Sequence, residues 1–182
     1  MEAKLVLKNR QTCRNFNETQ VSQESLDYIL KAGNSAPVSL GQYQNIELHV
    51  IQNKELLNKI EQIVYSIRPE MGKHPMYNAP TVILVSAKKE EAAETAPLAY
   101  CNASCIMENM MLASTDSELG SVYLYAVPAV LGQLENVYPK LYEDLQIRNG
   151  FFPIAMMGIG EPNVPLKKRE LTKDKISTVY IR

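Results

Sequence analysis

The sequence predicts a single domain, residues 1–182, that mixes helices with strands around one long apolar helix. The stretch from Ala96 to Leu119 is apolar on more than one side when it is read as a helix. Several shorter apolar runs have the length and composition of strands. The chain has 182 residues, of which 46% are hydrophobic, and this is enough apolar material for one sizeable core.

The predicted central helix has two apolar sides, here called the stripe and the flank, and one line of polar residues. Its apolar stripe and flank are formed by Ala99, Ala103, Ile106, Met110 and Ala113, and by Leu98, Cys101, Cys105 and Leu112. Asn102, Asn109 and Asp116, spaced seven apart, form its one consistent polar line. Such a helix is expected to be buried nearly all round and to be about 35 Å long. A membrane span is the competing interpretation, but the polar residues in its middle disfavour it.

Charge and cysteine content exclude several classes of protein. The chain has 19 Lys and Arg against 20 Asp and Glu, so it lacks the basic excess of a general nucleic-acid binder. The N-terminus has a charge at its second residue and no apolar run of the kind that a signal peptide needs. Three cysteines then indicate reduced thiols in a cytoplasmic protein rather than a disulfide framework.

The remaining elements follow from periodicity and from turn residues. Ser22 caps a helix that ends near Gly33, and Val21 is expected to pack on Leu26 as a hydrophobic staple. The other predicted elements are a short helix 2–8, a strand 46–50, a helix 56–67, a strand 81–85, a charged linker Lys88 to Glu94, a strand Ser121 to Val127 that Pro128 ends, a helix Val130 to Leu145 split at Gly132 and Pro139, and a strand Pro153 to Ile159.

The last predicted strand has no neighbour of its own. Thr178 to Ile181 has strand composition, but no other strand precedes it closely in the chain. An unpaired strand edge is a docking site, so we expect this segment to pair with the sheet of another subunit.

Near the N-terminus, Arg10, Thr12 and Arg14 place two guanidiniums and a hydroxyl within five residues. Such a set can hold a dianionic phosphate, because Arg presents a fork of donors and Thr adds another. A solvated pair of surface arginines is the alternative, and spacing alone favours it by about two to one, since exposed Arg is common. Cys13 lies between the arginines but has no base or second thiol beside it in the sequence.

Other chemistries find no support in the sequence. Gly158 and Gly160 resemble the start of a dinucleotide fingerprint, but prolines follow where a helix should begin. The two histidines belong to no metal-binding spacing. Cys101 and Cys105 are expected to be small buried hydrophobes, because free Cys is among the most buried residue types. A nucleophile elbow, a P-loop and a paired-carboxylate motif are all lacking.

Several motifs together resemble the nitroreductase family of flavin oxidoreductases over nearly the whole length. The segment 10–16 is similar to the family's Arg-Arg-Ser-x-Arg-x-Phe signature, and Ala36-Pro37-Val38-Ser39 to its Ala-Pro-x-Ser turn. The predicted central helix followed by Leu119-Gly120-Ser121 is similar to the family's central helix followed by its Gly-Leu-Gly-Ser strand. The other matching motifs are Asn78-Ala79-Pro80, Gly158-Ile-Gly160-Glu161-Pro162 and Lys167-Lys168-Arg169.

The resemblance implies an α+β fold with a central, mostly antiparallel sheet flanked by helices. It also implies an intertwined homodimer whose central helices pack across the two-fold axis and whose C-terminal strand is exchanged with the partner. FMN at the dimer interface would oxidise NADH or NADPH and reduce a small electron-poor acceptor such as a nitroaromatic or a quinone, by ping-pong hydride transfer. No nucleic acid and no membrane are implied as partners.

The resemblance also assigns positions around the flavin. Those expected to hold the FMN phosphate and ribityl chain are Arg10, Thr12, Arg14, Lys167 and Arg169. Gln11 would lie near the polar edge of the flavin, and the backbone around Leu124, Tyr125 and Ala126 would face its reactive nitrogen. The other subunit would line the ring with Pro37, Val38, Ser39 and Gly41. No catalytic acid, base or nucleophile and no metal is implied.

One departure from the family pattern concerns the ring-binding loop. Gly41-Gln42-Tyr43-Gln44-Asn45 replaces the usual Asn-x-Gln-Pro-Trp, and the chain has no Trp. Loss of the Asn side chain removes a hydrogen bond to the flavin worth about 1 kcal/mol net. Two alternatives stay open. One is a flavin-binding family member without turnover, and the other is a non-catalytic module whose basic run, Lys167-Lys168-Arg169 with Lys173 and Lys175, contacts an acidic partner or nucleic acid.

Overall fold

The computed structural model describes residues 1–89, 96–167 and 169–182. Lys168 and most of the predicted linker from Lys88 to Glu94 lie outside the described residues. The described helices are α1 (Ala3–Asn9), α2 (Gln23–Asn34), α3 (Lys54–Ile67), α4 (Ala96–Asp116), α5 (Ala126–Leu131) and α6 (Pro139–Asp144). The strands are β1 (Ile46–Ile51), β2 (Thr81–Lys88), β3 (Gly120–Leu124) and β4 (Phe151–Gly160).

The four strands form one antiparallel sheet in the order β1-β2-β4-β3. The two central strands are buried on both faces, and β2 supplies side chains to each face alternately. Val82 and Leu84 join a cluster with α3, α5 and α6, whereas Ile83 and Val85 join a second cluster with α2 and α4. The apolar runs predicted at 81–85 and 153–159 are therefore the core of the sheet, and both predictions are confirmed.

Helix α4 covers one face of this sheet with the predicted stripe. Ala103 and Met110 are fully buried, and the other stripe residues are no more than 8% exposed. The flank differs from the prediction. Leu98, Cys101 and Cys105 are exposed, so the expectation that the helix is buried all round and that both cysteines are buried is wrong for the single chain. The helix also ends at Asp116 rather than near Gly120.

The polar line of α4 attaches neighbouring segments to the helix. Asn102 accepts a hydrogen bond from the backbone N–H of Ser39 at 3.0 Å. Asn109 donates to the carbonyl of Ala32 at 3.2 Å, near the end of α2. Asp116 binds the N-terminal ammonium and the Tyr28 hydroxyl, and these hydrogen bonds lower the pKa of its carboxyl. Three polar residues at heptad spacing thus hold α2, the loop after it and the chain terminus against one helix.

Strand β3 is shorter than the sequence predicts. We expected a strand from Ser121 to Val127 ended by Pro128, but β3 ends at Leu124 and α5 begins at Ala126. Proline is tolerated in the first turn of a helix, where its missing N–H would have no intrahelical partner. Pro128 therefore opens the helix instead of breaking the strand, and the predicted break before Pro139 is retained as the gap between α5 and α6.

The N-terminal segment, residues 10–16, lies along the outer edge of β3. Thr12 forms a parallel bridge with Ser121, and the N–H of Cys13 donates to the Ser121 carbonyl at 2.8 Å. Gly120 permits this approach, because a Cβ built at that position would be 2.7 Å from the Cys13 Cβ. The sheet edge thus fixes the position of the arginines on either side of Cys13.

The chain after β4 contains no further helix or strand in its described part. Val179 and Ile181 are 80% and 96% exposed, so the apolar C-terminal segment is not covered by its own chain. Its pairing with a second subunit stays a prediction. Among the described helices, none combines the length and the apolar character that crossing a membrane would require.

Gly120→Ala should destabilise the protein and displace the N-terminal segment. The added methyl group would overlap Cys13, and overpacking of this kind costs about 2 kcal/mol in the free energy of unfolding. Urea unfolding measures the loss. Gly132→Ala is the matched control, since its Cβ would approach no atom closer than 3.4 Å. Equal stability of the two variants would contradict the close packing at Gly120.

Candidate functional site

The N-terminal segment meets the C-terminal basic segment, residues 167–169, although about 156 residues separate them. Arg169 donates from Nη1 to the carbonyl of Arg10 at 2.7 Å, and Gln11 donates from Nε2 to the carbonyl of Lys167 at 2.7 Å. These two side-chain-to-backbone bonds place Arg10, Lys167 and Arg169 in one region. Lys168 lies outside the described residues.

Arg10 is half-buried in this region and has one acidic neighbour. Its Nε lies 3.5 Å from Oε1 of Glu108 on α4. The contact is long and uses only Nε, so the two terminal nitrogens of the guanidinium, with four of its five donors, are not part of it. Both side chains are partly exposed, and a pair of this type contributes little to stability. Arg10 can therefore bind a phosphate while it keeps this neighbour.

Arg14 points to a different element. Its guanidinium carbon lies 5.7 Å from the centroid of the Tyr77 ring, within the range of a cation–π contact. Tyr77 has a positive φ of 59°, and the residue before it, Met76, is 1% exposed. Burial of Met76 anchors the chain directly before this positive-φ residue, which lies beside Arg14.

The Pro37–Gly41 loop contains a 3₁₀ turn, Ser39–Gly41, and a second one, Tyr43–Asn45, follows it directly. Leu40 and Gly41 have positive φ values of 55° and 66°. The Tyr43 hydroxyl donates to the carbonyl of Ala36 at 3.1 Å, which closes the loop at its base. This tyrosine stands in the sequence that replaces the family's Asn-x-Gln-Pro-Trp, so the altered loop has its own internal support.

The junction of β3 and α5 contains the last of the predicted residues. Leu124 ends the strand with its side chain buried, whereas Tyr125 is 59% exposed and Ala126 begins the helix. Within the described residues, no hydrogen bond or ion pair joins this junction or the Pro37–Gly41 loop to the N-terminal segment. One chain thus brings Arg10, Gln11 and the basic segment together and leaves the loop apart, as expected if the loop serves another subunit.

The described residues contain no cluster of three or more His, Cys, Asp or Glu that could hold a metal ion. His49 lies on β1, where burial lowers its pKa and Ser86 Oγ is 2.7 Å from its Nε2. His74 lies in the loop before β2 and pairs with Glu61 at 2.8 Å. The polar partners of the two histidines, Ser86 and Glu47 for His49 and Glu61 for His74, all lie outside the N-terminal segment.

Sequence reasoning missed three residues of this region, namely Glu108, Tyr77 and Tyr43. Glu108 belongs to a helix whose orientation the sequence does not reveal. Tyr77 lies in a loop that the sequence revealed only through its Pro and Gly residues, which do not indicate where its side chains are placed. Tyr43 had a possible signal, because it occupies the loop in which the family's aromatic residue is replaced.

Comparison with known proteins identifies the fold. Residues 7–161 match the Nitroreductase family. The chain belongs to this family. A nitroreductase from Desulfitobacterium hafniense, solved with bound FMN, superposes with a TM-score of 0.81 over 99% of this chain and 100% of the other, at 22% identity. One from Bacteroides fragilis, also with bound FMN, gives a TM-score of 0.76 over 99% and 100%, at 21% identity.

One relative is a longer protein than this chain. The NADPH-dependent oxidoreductase of Staphylococcus haemolyticus is 25% identical over 167 residues, which are 86% of this chain but 63% of the relative. The nitroreductase-family chain thus spans less than two thirds of that protein. The predicted family membership and the antiparallel, helix-flanked fold are confirmed, whereas the site residues stay predictions.

Tyr43→Phe should loosen the Pro37–Gly41 loop. The substitution deletes the hydroxyl that binds the Ala36 carbonyl, at a cost of about 1 kcal/mol. Hydrogen–deuterium exchange over residues 37–42 should accelerate. Tyr65→Phe, at an exposed position on α3, is the control and should leave that exchange unchanged. Unaltered exchange in Tyr43→Phe would show that the hydroxyl does not support the loop.

Proposed function

We propose that this nitroreductase-family chain is an FMN-dependent oxidoreductase that uses NADH or NADPH to reduce small electron-poor acceptors, such as nitroaromatics or quinones. The observation that carries the proposal is the convergence of Arg10, Lys167 and Arg169 from opposite ends of the chain. The family to which the chain belongs and the FMN bound to its structural neighbours support the same assignment.

The residues present fit the phosphate of FMN. Two guanidiniums and an ammonium offer charged donors, and the exposed Thr12 adds a hydroxyl on the edge of β3. Glu108 is the one acidic side chain paired with Arg10 among the described residues, and it engages only Nε. The donor set is therefore suited to a dianion, which would be surrounded by more positive than negative side chains.

The ring would be bound at an interface between two copies of the chain. Helix α4 exposes Leu98, Cys101, Cys105 and, in part, Leu112 along one side, at the spacing of a helix–helix seam. Packing of two such helices would cover this flank and bring the Pro37–Gly41 loop of one copy to the flavin site of the other. The exposed Thr178 to Ile181 segment would then add a strand to the partner.

In this proposal, the protein itself binds the flavin and orients it. Bound FMN would supply hydride chemistry, since it takes a hydride from a reduced nicotinamide and passes electrons to an acceptor in a separate half-reaction. Arg14, which the resemblance assigns to the phosphate and ribityl chain, lies against Tyr77, and its charge would there help to stabilise the negative charge of the bound cofactor. The backbone of Tyr125 and Ala126, at an exposed junction, would face the ring without a side-chain acid or base.

A visible absorption spectrum tests the proposal directly. The purified protein should show the bands of an oxidised flavin and lose them anaerobically when NADPH or NADH is added. A yellow protein that neither nucleotide bleaches would indicate a flavin-binding protein without turnover. A colourless protein that FMN does not restore would refute the proposal, and salt-sensitive binding to an acidic polymer would then favour an interaction module.

Arg169→Ala should weaken FMN binding by about 30-fold, because one charge-assisted hydrogen bond to phosphate is worth about 2 kcal/mol. Fluorescence quenching of free FMN measures the dissociation constant. Lys173→Ala removes a positive charge from the exposed chain nearby and is the control. Equal affinity of the two variants would show that the basic segment does not hold the phosphate.

Asn102→Leu should weaken FMN binding by about fivefold, the effect of losing one hydrogen bond of about 1 kcal/mol from the Ser39 N–H. Asn102→Asp keeps an acceptor oxygen and should restore most of the affinity. Asn109→Leu, two turns along the same polar line, breaks a bond to Ala32 and should leave FMN affinity unchanged. A loss in Asn109→Leu as large as in Asn102→Leu would contradict a specific role for the loop.

A further inference from the structure

A cavity between the end of the N-terminal segment, α3 and the loop before β2 lies outside the proposed flavin site. It has a volume of about 650 Å³, and none of the thirteen residues predicted to hold FMN lines it. Volumes of roughly 300–1,000 Å³ are typical of small-molecule sites. Phe16, Leu57 and Met76 give it apolar walls, whereas Glu61, Asn58 and Asn78 supply polar groups.

Glu61 is the chemically distinctive residue of this cavity, because an acidic residue is there only 5% exposed. Oε1 accepts a hydrogen bond from the Met76 N–H at 3.1 Å, and Oε2 accepts one from His74 Nδ1 at 2.8 Å. Each carboxylate oxygen can accept a second hydrogen bond. A ligand with N–H donors can therefore bind Glu61 without displacing either partner.

The charges at the cavity favour one class of ligand. Glu18 and Lys54 line the cavity as an exposed ion pair, 3.3 Å apart, and neutralise each other. Glu61 is then the remaining acidic group of the lining, and it is acceptor-only. Anions, including any phosphate ester, would be repelled from a buried carboxylate, whereas a cation or a neutral donor would be attracted.

Two segments of the chain separate this cavity from the proposed flavin site. In the first segment, Arg14 belongs to the proposed flavin site and the next residue, Asn15, lines the cavity. In the second, Tyr77 contacts Arg14 and the next residue, Asn78, lines the cavity. Tyr77 and Asn78 both have positive φ values, 59° and 53°. Strained backbone of this kind persists where surrounding packing holds it, and it is concentrated at ligand sites and clamps.

We propose that this cavity is a second ligand site, which takes a small planar nitrogen compound with an amidine, amine or amino-heterocycle group and no phosphate. The donor group of the ligand binds Glu61. Its ring packs between Leu57, Met76 and Phe16, and the amides of Asn58 and Asn78 bind its remaining polar edge. The lining comes from residues 15–20, α3, residues 76–80 and Asn163 of one chain.

Benzamidine is the probe, and benzoate, of the same shape and opposite charge, is its control. We expect benzamidine to bind the purified full-length protein with a dissociation constant of about 1 mM, as suits a fragment of its size. Its binding should shift the NMR signals of the Met76 and Leu57 methyl groups. Benzoate should bind at least tenfold more weakly.

Two variants assign the binding to the cavity. Glu61→Gln keeps the shape of the side chain and an acceptor for the Met76 N–H, and it should weaken benzamidine binding at least tenfold. Asn58→Trp fills the cavity from an exposed helix position and should abolish binding, whereas Gln62→Trp on the exposed side of α3 should not. If Glu61→Gln does not fold, the two tryptophan variants decide the question.

Three results would overturn the proposal. The first is that benzamidine does not bind at a concentration tenfold above the expected dissociation constant. The second is that benzoate binds as tightly as benzamidine. The third is that Asn58→Trp still binds benzamidine. None of them bears on FMN, because the absorption spectrum tests the flavin site separately. A colourless protein that added FMN does not restore, but that binds benzamidine through Glu61, would refute the proposed oxidoreductase and support this second site.

Discussion

The outer edge of β3 holds the N-terminal segment, and the rest of the proposed site depends on this attachment. The backbone of Thr12 and Cys13 pairs with Ser121, and Gly120 leaves the space that this pairing needs. The C-terminal basic segment then binds the same stretch through Arg10 and Gln11. The N-terminal segment is thus positioned by main-chain pairing with β3, and the basic segment by side-chain-to-backbone hydrogen bonds to the N-terminal segment.

Helix α4 performs three tasks on three of its sides. Its stripe of small and medium apolar side chains fills one core of the sheet, and the polar line from Asn102 to Asp116 attaches α2 and its loop. The third side, with Leu98, Cys101 and Cys105, is exposed in the single chain. A second subunit on that side would cover the apolar flank and leave the polar line in contact with the loop that the partner's flavin needs.

The sequence predicted what depends on local pattern. Ser22 caps α2 as expected, β2 and β4 form the buried centre of the sheet, and the stripe of α4 is buried. Predictions failed where the deciding contact is distant in sequence or is made by another copy. Pro128 was compatible with a strand end or a helix start, and only packing chose between them. Cys101 and Cys105 have apolar periodicity, but the surface that would bury them is not part of the same chain. Contacts such as Arg10 with Glu108 required the fold itself.

A crystal structure of the protein grown with FMN tests the central claim most directly. The account predicts a two-fold dimer in which the phosphate of FMN is within hydrogen-bond distance of the Arg10 and Arg169 guanidiniums, while the Ser39 loop of the other subunit contacts the ring. A monomer, or a dimer in which the phosphate is bound elsewhere and neither guanidinium contacts it, would contradict it.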